Sequence, residues 1–308
     1  MKNESPAVDP SISDLLHKRT RPLLSYEFFP PKSEKGMNAL QEAIEGLLNS
    51  SPDFVTVTYG AGGSTRNLTF EIAALLRRFR YGPVMPHLTC VGNSAEELNA
   101  IADQIHAEGY RNIMTLRGDP PKGQENFETA AGGLDCARDL AKLLKARHSD
   151  FCLGVAAYPE GHPESRGASE DMDYLKSKVD AGASFITTQL FLENHHYYRF
   201  VERCEKAGIE IPILPGIMPA LSLAQIKRIT AMCGATLPNP LAEKLVSAGD
   251  DAEAAMNSGI LWCTEQIIDL LKHDVPGIHL YILNQIRPAM AYQLAQTFIE
   301  MTGKGDAS

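Results

Sequence analysis

Eight short apolar segments, rich in β-branched residues, alternate along the chain with longer segments that carry apolar residues at helical spacing. Most of them begin roughly 28 to 40 residues apart, which is the length of one strand with its crossover helix. A chain with this rhythm is expected to bury a parallel sheet beneath helices. The predicted strands are 23–28, 54–58, 84–89, 112–117, 152–157, 184–190, 213–216 and 279–283.

The segments between the strands predict helices, and several of them end on a glycine that suits a helix C-terminus, such as Gly109, Gly182 and Gly208. These helices are 37–48, 67–78, 95–108, 131–146, 170–181 and 195–207, with a leading helix near 11–19 and extra helices near 241–248 and 251–272, before the last strand.

Eight such units favour an α/β fold with a single (β/α)8 TIM barrel over residues 11–302, between flexible ends at 1–10 and 303–308. A doubly wound sheet is the alternative. Against it, the chain has no G-x-G-x-x-G motif, since the glycine-rich stretch 60–65 lacks the third glycine.

Composition narrows the classes of partner. The net charge is −9 and there is no Lys/Arg-rich run, which argues against a nucleic-acid partner. Six cysteines occur without a C-x-x-C pair, a pattern typical of a reducing compartment. No apolar run approaches the roughly 20 residues of a membrane span, and the polar start does not resemble a signal peptide. We therefore expect a cytoplasmic protein without membrane contact.

The run Ser25-Tyr26-Glu27-Phe28-Phe29-Pro30-Pro31 places one acidic residue inside an apolar strand. A carboxylate there is costly unless it has a partner or a function. The two prolines end the strand just beyond Glu27, so this side chain should lie at the carboxyl end, where α/β barrels bind ligands. The alternative is a structural glutamate paired with an Arg or Lys.

Polar residues also follow the other predicted strands. They include the glycine-rich loop after Thr58-Tyr59, and then His87, Arg117-Gly118-Asp119, Tyr158, His162 and Gln189. Each has a structural alternative: a tight turn, an ion pair with a neighbour, a core histidine or a surface histidine. An amide on an apolar strand needs hydrogen-bond partners, and the occurrence of all these groups at one end of a barrel favours a pocket.

The chemistry of this pocket can be narrowed. No His, Asp, Glu and Cys residues occur at metal-ligand spacing, so no catalytic metal is expected. There is no G-x-S-x-G motif either. An isolated carboxylate, a second acid, an amide, aromatic rings and basic residues remain, which together suit general-acid chemistry on a flat heterocycle with an anionic part.

These motifs closely resemble the methylenetetrahydrofolate reductase family in its short bacterial form, over roughly residues 20 to 295. The resemblance rests on several motifs in the same order: Tyr26-Glu27-Phe28-Phe29-Pro30-Pro31, Thr58-Tyr59-Gly60-Ala61-Gly62-Gly63-Ser64, His87-Leu88-Thr89-Cys90, Arg117-Gly118-Asp119-Pro120-Pro121, Ala157-Tyr158-Pro159-Glu160-Gly161-His162-Pro163-Glu164 and Pro215-Gly216-Ile217-Met218-Pro219.

The resemblance implies a (β/α)8 barrel with non-covalent FAD that reduces 5,10-methylenetetrahydrofolate to 5-methyltetrahydrofolate, a step of one-carbon metabolism and methionine biosynthesis. NADH or NADPH passes hydride to FAD and leaves. The folate then takes its place and receives the hydride, after its five-membered ring opens to an iminium cation. The family also implies a homo-oligomer.

The family's residues carry over by motif. Glu27 matches the general acid, with a pKa expected above its ordinary value because its neighbours are apolar. Asp119 matches the residue that binds the pterin and favours the cation, and Gln189 matches the substrate-binding amide. The positions that match FAD-binding residues are Thr58, His87, Arg117, Gly118, Asp119, Tyr158, His162, Asp171 and Lys178.

Two positions depart from the family pattern. Gln285 stands where relatives carry an arginine, for which Arg287 is a candidate substitute, and Ile229 stands where some relatives have an aromatic residue. Because the chain ends soon after the barrel, we expect no regulatory domain and no feedback control by S-adenosylmethionine.

Two other functions remain as alternatives. One is a pterin-binding transferase of one-carbon groups without redox chemistry, and the other is a barrel subunit of a larger electron-transfer complex.

Overall fold

The computed structural model describes residues 7–59, 66–119 and 127–303. Its strands are all parallel and follow the order β7-β6-β5-β4-β3-β2-β1-β9-β8. They are β1 Leu23–Phe28, β2 Phe54–Val57, β3 Val84–Thr89, β4 Asn112–Leu116, β5 Cys152–Ala157, β6 Ala183–Thr188, β7 Ile213–Leu214, β8 Gly216–Ile217 and β9 Gly277–Tyr281.

Strands β7 and β8 are two halves of the strand predicted at 213–216. Pro215 separates them because it has no backbone N–H to donate to a neighbouring strand. The first half pairs with β6 and the second with β9, so the sheet closes into the predicted TIM barrel.

Helices cover the outside of the barrel and its N-terminal end. They are α1 Ile12–Lys18, α2 Glu34–Gly46, α3 Arg66–Arg78, α4 Ala95–Ala107, α5 Ala137–Arg147, α6 Ala168–Asp180, α7 Asn194–Lys206, α8 Leu223–Cys233, α9 Asn239–Ser247, α10 Ala252–Lys272 and α11 Met290–Gly303. None of the helices in the described ranges has both the length and the apolar character needed to cross a membrane.

Most predicted elements are confirmed within a few residues. Gly109, Gly182 and Gly208 all have positive φ just after a helix, as their C-terminal positions predict. The helix predicted at 131–146 begins only at Ala137, because residues 131–136 form a turn around Gly132, whose φ is +67°. Helices α8 and α11 are absent from the predicted set.

The N-terminal side of the barrel is closed by α1. Ile12 and Leu16 are fully buried and pack against inward-facing strand residues such as Phe54, Met85 and Phe185. Upstream of the helix, Asp9 pairs with Arg77 at 2.7 Å. Of the predicted flexible segments 1–10 and 303–308, residues 1–6 and 304–308 lie outside the described residues, and the domain limits remain a prediction.

Candidate active site

The carboxyl ends of the strands surround one cavity of about 810 Å³. Such a volume suits a small-molecule or cofactor site, and this end of a TIM barrel is where such sites are built. Every described side chain or backbone position predicted for the site lines it: Glu27, Thr58, His87, Arg117, Gly118, Asp119, Tyr158, His162, Asp171, Lys178 and Gln189. The fold therefore brings together residues that are far apart in sequence.

Strand β1 positions Glu27 by its alternation of side chains. Tyr26 and Phe28 are fully buried in the core between the sheet and the helices, so Ser25 and Glu27 point into the barrel. The carboxylate oxygen Oε2 of Glu27 lies 3.6 Å from Nε2 of His87 on β3. It lies equally far, 3.6 Å, from Nε2 of His279 on β9.

The expected upward shift in the pKa of Glu27 is wrong, because of this environment. Burial raises the pKa of this carboxyl, but the polar contact with His279 and the electrostatic influence of His87 and His279 lower it by more, so the net shift is downward. The apolar neighbours seen in sequence are real but face the opposite side of the strand. Among the described residues, the basic side chains within 4 Å of the Glu27 carboxylate are these histidines and not an Arg or Lys.

His87 is buried, and burial together with the charge of His279 lowers the pKa of its imidazole to about 4, although Glu27 acts in the opposite sense. Its ring is therefore neutral at pH 7. Its Nε2 has no hydrogen-bond partner among the described residues. A buried polar atom of this kind needs a partner, and it faces the cavity that contains Glu27.

His279 is the main residue that the sequence analysis missed. It pairs in register with Ser25 across β1 and β9, and its Nδ1 lies 2.8 Å from the Ser25 hydroxyl oxygen. The ring is 1% exposed, and Ser25, His279 and Glu27 form a polar row on the inner face of the barrel. The available signal was its position two residues before Tyr281 on a predicted strand, which places both side chains on the inner face.

Arg117 follows β4 and forms a bidentate ion pair with Glu164, with Nη1–Oε2 and Nη2–Oε1 distances of 2.6 and 3.0 Å. This pair holds the pKa of Glu164 below its usual range. The next residue, Gly118, has a φ of +93°, and a Cβ there would lie 2.7 Å from Cγ1 of Val91. The turn that presents Arg117 and Asp119 to the cavity therefore requires glycine.

Lys178 of α6 is a second cation in the cavity. Its Nζ donates to the carbonyl oxygen of Ala156 at 2.5 Å, and burial lowers its pKa to about 8 despite the nearby charge of Asp171. The rings of Tyr158 and His162 pack edge to face with centroids 4.5 Å apart. Burial lowers the pKa of His162, so its ring is neutral above pH 7.

Gln189 lies just past the end of β6, one residue beyond Thr188, and its Oε1 accepts from the N–H of Leu190 at 2.8 Å. Its side-chain NH₂ donates no hydrogen bond to the described residues, and Gln189 lines the cavity. Close by, the Tyr281 hydroxyl donates to the Thr188 carbonyl at 2.7 Å. A Cβ at Gly216 would lie 2.2 Å from that same carbonyl oxygen, so this close approach of strands depends on glycine.

Thr58 and Asp119 lie at the edges of the described chain. The Thr58 N–H donates to the Phe28 carbonyl at 2.9 Å, which holds it beside β1. Asp119 is exposed on the cavity mouth. The predicted glycine-rich loop at 60–65 and the segment that follows Asp119, 120–126, lie outside the described residues.

The two departures from the family pattern have different positions. Ile229 of α8 lines the cavity. At the other departure, Gln285, the candidate substitute is Arg287. Arg287 instead binds α10, with Nη2 at 3.0 Å from Oδ1 of Asn257 and 3.5 Å from Oε1 of Glu253, and it is not among the cavity-lining residues.

Folding also assembles possible metal-ligand groups that sequence spacing did not indicate. These are His106, His148 and Asp150 in one place and Glu193, His195 and His196 in another. None of them lines the cavity. In the first group the Asp150 carboxylate already pairs with Arg111 at 2.9 Å.

Comparison with known proteins agrees with this arrangement. The model of the methylenetetrahydrofolate reductase family matches residues 12–294. The chain is 37% identical over 274 residues to 5,10-methylenetetrahydrofolate reductase of Escherichia coli K12, covering 89% of this chain and 90% of that protein. It is 38% identical over 290 residues to a probable methylenetetrahydrofolate reductase (NADH) of Oryza sativa subsp. japonica. That match covers 91% of this chain and 49% of the rice protein, so the chain spans about half the length of such plant relatives.

A solved structure also shares the fold. It is an uncharacterized protein from Clostridium thermocellum that binds two copies of 5-methyl-5,6,7,8-tetrahydrofolic acid; the TM-score is 0.64 at 16% identity, over 94% of this chain and 99% of that one. At this identity the likeness concerns the barrel alone. The match of the family model to nearly the whole barrel and the similarity to the bacterial enzyme show that the chain belongs to the methylenetetrahydrofolate reductase family.

Proposed function

We propose that this protein reduces 5,10-methylenetetrahydrofolate to 5-methyltetrahydrofolate, with FAD as bound cofactor and NADH or NADPH as electron donor. The observation that carries the proposal is the position of Glu27, whose carboxylate lies between two histidines in a cavity that also contains Asp119 and Gln189. Family membership supplies the reaction class, and the cavity supplies the groups that this reaction needs.

The residues present fit a flavin nucleotide. Arg117 and Lys178 bring two cations to a cavity of about 810 Å³, and both suit a pyrophosphate. The hydroxyl of Thr89, which also lines the cavity, is buried without a hydrogen-bond partner and can serve a polar ring edge. Bound FAD would supply the hydride chemistry that amino-acid side chains lack.

Glu27 is proposed to protonate N10 of the folate, which opens the five-membered ring. Its carboxyl is ionised at neutral pH in the environment of the two histidines, because its pKa is lowered. A flat substrate over the cavity would cover the 21% of this side chain that is exposed. Loss of that water raises the pKa of a carboxyl, so substrate binding itself would favour the protonated acid.

Asp119 and Gln189 are proposed to orient the substrate. Asp119 lies at the mouth as an anion, so it would bind donors of the pterin and stabilise the iminium cation that follows ring opening. The Gln189 NH₂ group is available for an acceptor of the substrate, because its Oε1 is already used by Leu190.

A cytoplasmic location and a homo-oligomeric state are part of the same proposal. All six cysteines are free, which is typical of proteins in a reducing compartment.

The experiment is an absorption spectrum of the pure protein, followed by anaerobic addition of NADH and then NADPH. We expect a yellow protein whose flavin bleaches with one or both donors and regains its colour when methylenetetrahydrofolate is added. A colourless protein that still binds folate would instead indicate a one-carbon transferase. Bleaching only with an added iron–sulfur protein would indicate a subunit of an electron-transfer complex.

A further inference from the structure

A glutamate and two adjacent histidines lie together where α7 begins. Glu193 immediately precedes the helix, and His195 and His196 are in its first turn. One carboxylate oxygen and one ring nitrogen from each histidine all lie within 4.8 Å of one another. We call these three residues the α7 triad. In a tetrahedral zinc site with bonds of about 2.1 Å, neighbouring ligand atoms are about 3.4 Å apart, so the side chains need to move by only about 1 Å to reach that geometry.

The backbone that carries the triad is fixed by α10. Nε1 of Trp262 donates to the Leu192 carbonyl oxygen at 2.8 Å, and the side-chain NH₂ of Asn194 donates to the Gln266 carbonyl oxygen at 2.9 Å. These two contacts lie on either side of Glu193 in the chain. The Glu193 side chain makes no hydrogen bond that caps the helix, although it stands at the capping position. Its carboxylate is therefore held at a fixed place and is not used by the helix.

A second carboxylate reaches the triad from the loop after β5. Oε2 of Glu160 lies 3.4 Å from Nε2 of His196, and the Glu160 side chain is only 10% exposed. Metal-binding histidines are typically oriented by such a carboxylate, through the ring nitrogen that does not bind the metal. The two glutamates also counter the positive end of the helix dipole and the charge of Arg199 on the next turn. Two imidazoles and two carboxylates form a donor set that suits Zn²⁺ and similar transition metals.

The other histidine group, His106, His148 and Asp150, is already occupied by protein partners. Nε2 of His106 lies 3.0 Å from Asp150, and Nε2 of His148 lies 2.8 Å from Asp103. The Asp150 carboxylate also pairs with Arg111 at 2.9 Å. The two rings stack with centroids 4.0 Å apart and planes 8° from parallel, so their in-plane lone pairs do not converge on one ion. The two rings of the α7 triad are instead tilted by 36°.

We propose that the α7 triad binds one zinc-type divalent transition-metal ion, with Glu160 as the carboxylate that orients His196. Tyr158 and His162, on either side of Glu160 in the chain, line the active-site cavity, whereas the triad does not. The ion thus ties the loop after β5 to α7 from outside the cavity, and its role is structural and not catalytic. The inference goes beyond the reaction proposed above and does not depend on it.

The first test measures Zn²⁺ binding to the purified protein, freed of metal with a chelator, by competition with a chromophoric zinc indicator. We expect one ion per chain with a Kd of about 1 to 10 µM. Glu193→Gln and His196→Gln should each weaken binding by about tenfold or more, and Glu160→Gln by about tenfold, with unchanged circular dichroism. His148→Gln, in the other histidine group, is the matched control and should bind as the wild type does. A wild type that binds no Zn²⁺ below about 100 µM, or a His196→Gln variant with the wild-type Kd, would overturn the proposal.

The second test uses the wild type and requires no substitution. Diethyl pyrocarbonate modifies accessible neutral imidazoles, and mass spectrometry of peptides locates the modified histidines. Zn²⁺ should slow the modification of His195 and His196 several-fold. His106, His148 and the partly exposed His273 should react at the same rate with and without Zn²⁺. Equal protection of all five histidines would indicate adventitious binding to surface imidazoles and would reject the site, as would protection of the other histidine group alone.

Discussion

Nε2 of His279 lies 3.6 Å from Oε2 of Glu27. The other ring nitrogen of His279, Nδ1, lies 2.8 Å from the hydroxyl oxygen of Ser25. The ring has one nitrogen for each neighbour, so its tautomer links the serine hydroxyl to the carboxylate. Because the interaction with His279 lowers the pKa of Glu27, this histidine helps to set the pH range in which Glu27 carries a proton.

Replacing His279 with Gln is therefore expected to raise the pKa of Glu27. A general acid is active while protonated, and its activity is lost as pH rises through its pKa. The alkaline limb of the folate half-reaction should thus move to higher pH in His279→Gln, while flavin reduction by NADH or NADPH keeps its pH profile. His273→Gln, at a partly exposed histidine of the α10 end, is the control. A limb that stays in place or moves down would contradict the role given to His279.

The lowered pKa of His87 predicts that the stability of the protein depends on pH. Its pKa is about 4 in the folded protein and about 6.5 in an unfolded chain, so below pH 6.5 the unfolded state binds a proton that the native state excludes. The free energy of unfolding should therefore fall as pH decreases, by about 1.5 kcal/mol between pH 6.5 and 5 from this residue alone. Urea unfolding of wild type and His87→Gln across this range measures the difference. Parallel curves for the two proteins would show that His87 does not titrate as stated.

Glu27→Gln keeps the size of the side chain and removes the proton donor. Reduction of the flavin by NADH or NADPH needs no general acid and should survive nearly unchanged. Methylenetetrahydrofolate reduction should fall by about two to four powers of ten, while folate still binds. Stopped-flow measurement of the two half-reactions separates this result from a structural role, in which stability, FAD content and both half-reactions would decrease together.

The sequence predicts the barrel and the content of the cavity well, because strand periodicity and strand ends are local features. Glu27, Arg117 and Gln189 could each be placed at a strand end without knowing any contact. The partners of these residues could not be predicted. The register that sets Ser25 beside His279, and the return of Glu164 to Arg117 across 47 residues, are long-range pairings that a linear pattern does not encode. The downward pKa shift of Glu27 depends on that register.

Substitution of Gly118 tests whether the turn after Arg117 requires glycine. Gly118→Ala adds a Cβ 2.7 Å from Val91 Cγ1 at a φ of +93°, so both a steric clash and backbone strain oppose it. We expect a loss of about 2 to 4 kcal/mol in the free energy of unfolding. Gly132→Ala is the matched control, because its φ is also positive at +67° but nothing lies within 4 Å of the added atom. It should cost about 1 kcal/mol. Equal losses in urea unfolding would mean that the contact with Val91 is easily relieved.

Glu164 forms an ion pair with the guanidinium group of Arg117, the group that is proposed to bind the FAD pyrophosphate. A phosphate must replace this carboxylate as the partner of Arg117, so the pair opposes cofactor binding. Glu164→Gln should therefore bind FAD more tightly, by about 3- to 10-fold, and the gain should shrink at high salt because the pair is partly exposed. Flavin fluorescence quenching during titration of the apoprotein measures the Kd.

Glu170→Gln is the control for Glu164→Gln, because it removes the same charge from the cavity lining. Its carboxylate accepts from the Arg166 N–H at 2.9 Å and does not contact Arg117. If both variants gain equally, the effect is one of overall charge and not of competition for Arg117. If Glu164→Gln binds FAD more weakly, the carboxylate instead holds Arg117 in its binding position. A wild type that binds no FAD would count against the proposed function, whereas a wild type that binds it with no gain in Glu164→Gln would count only against competition at Arg117.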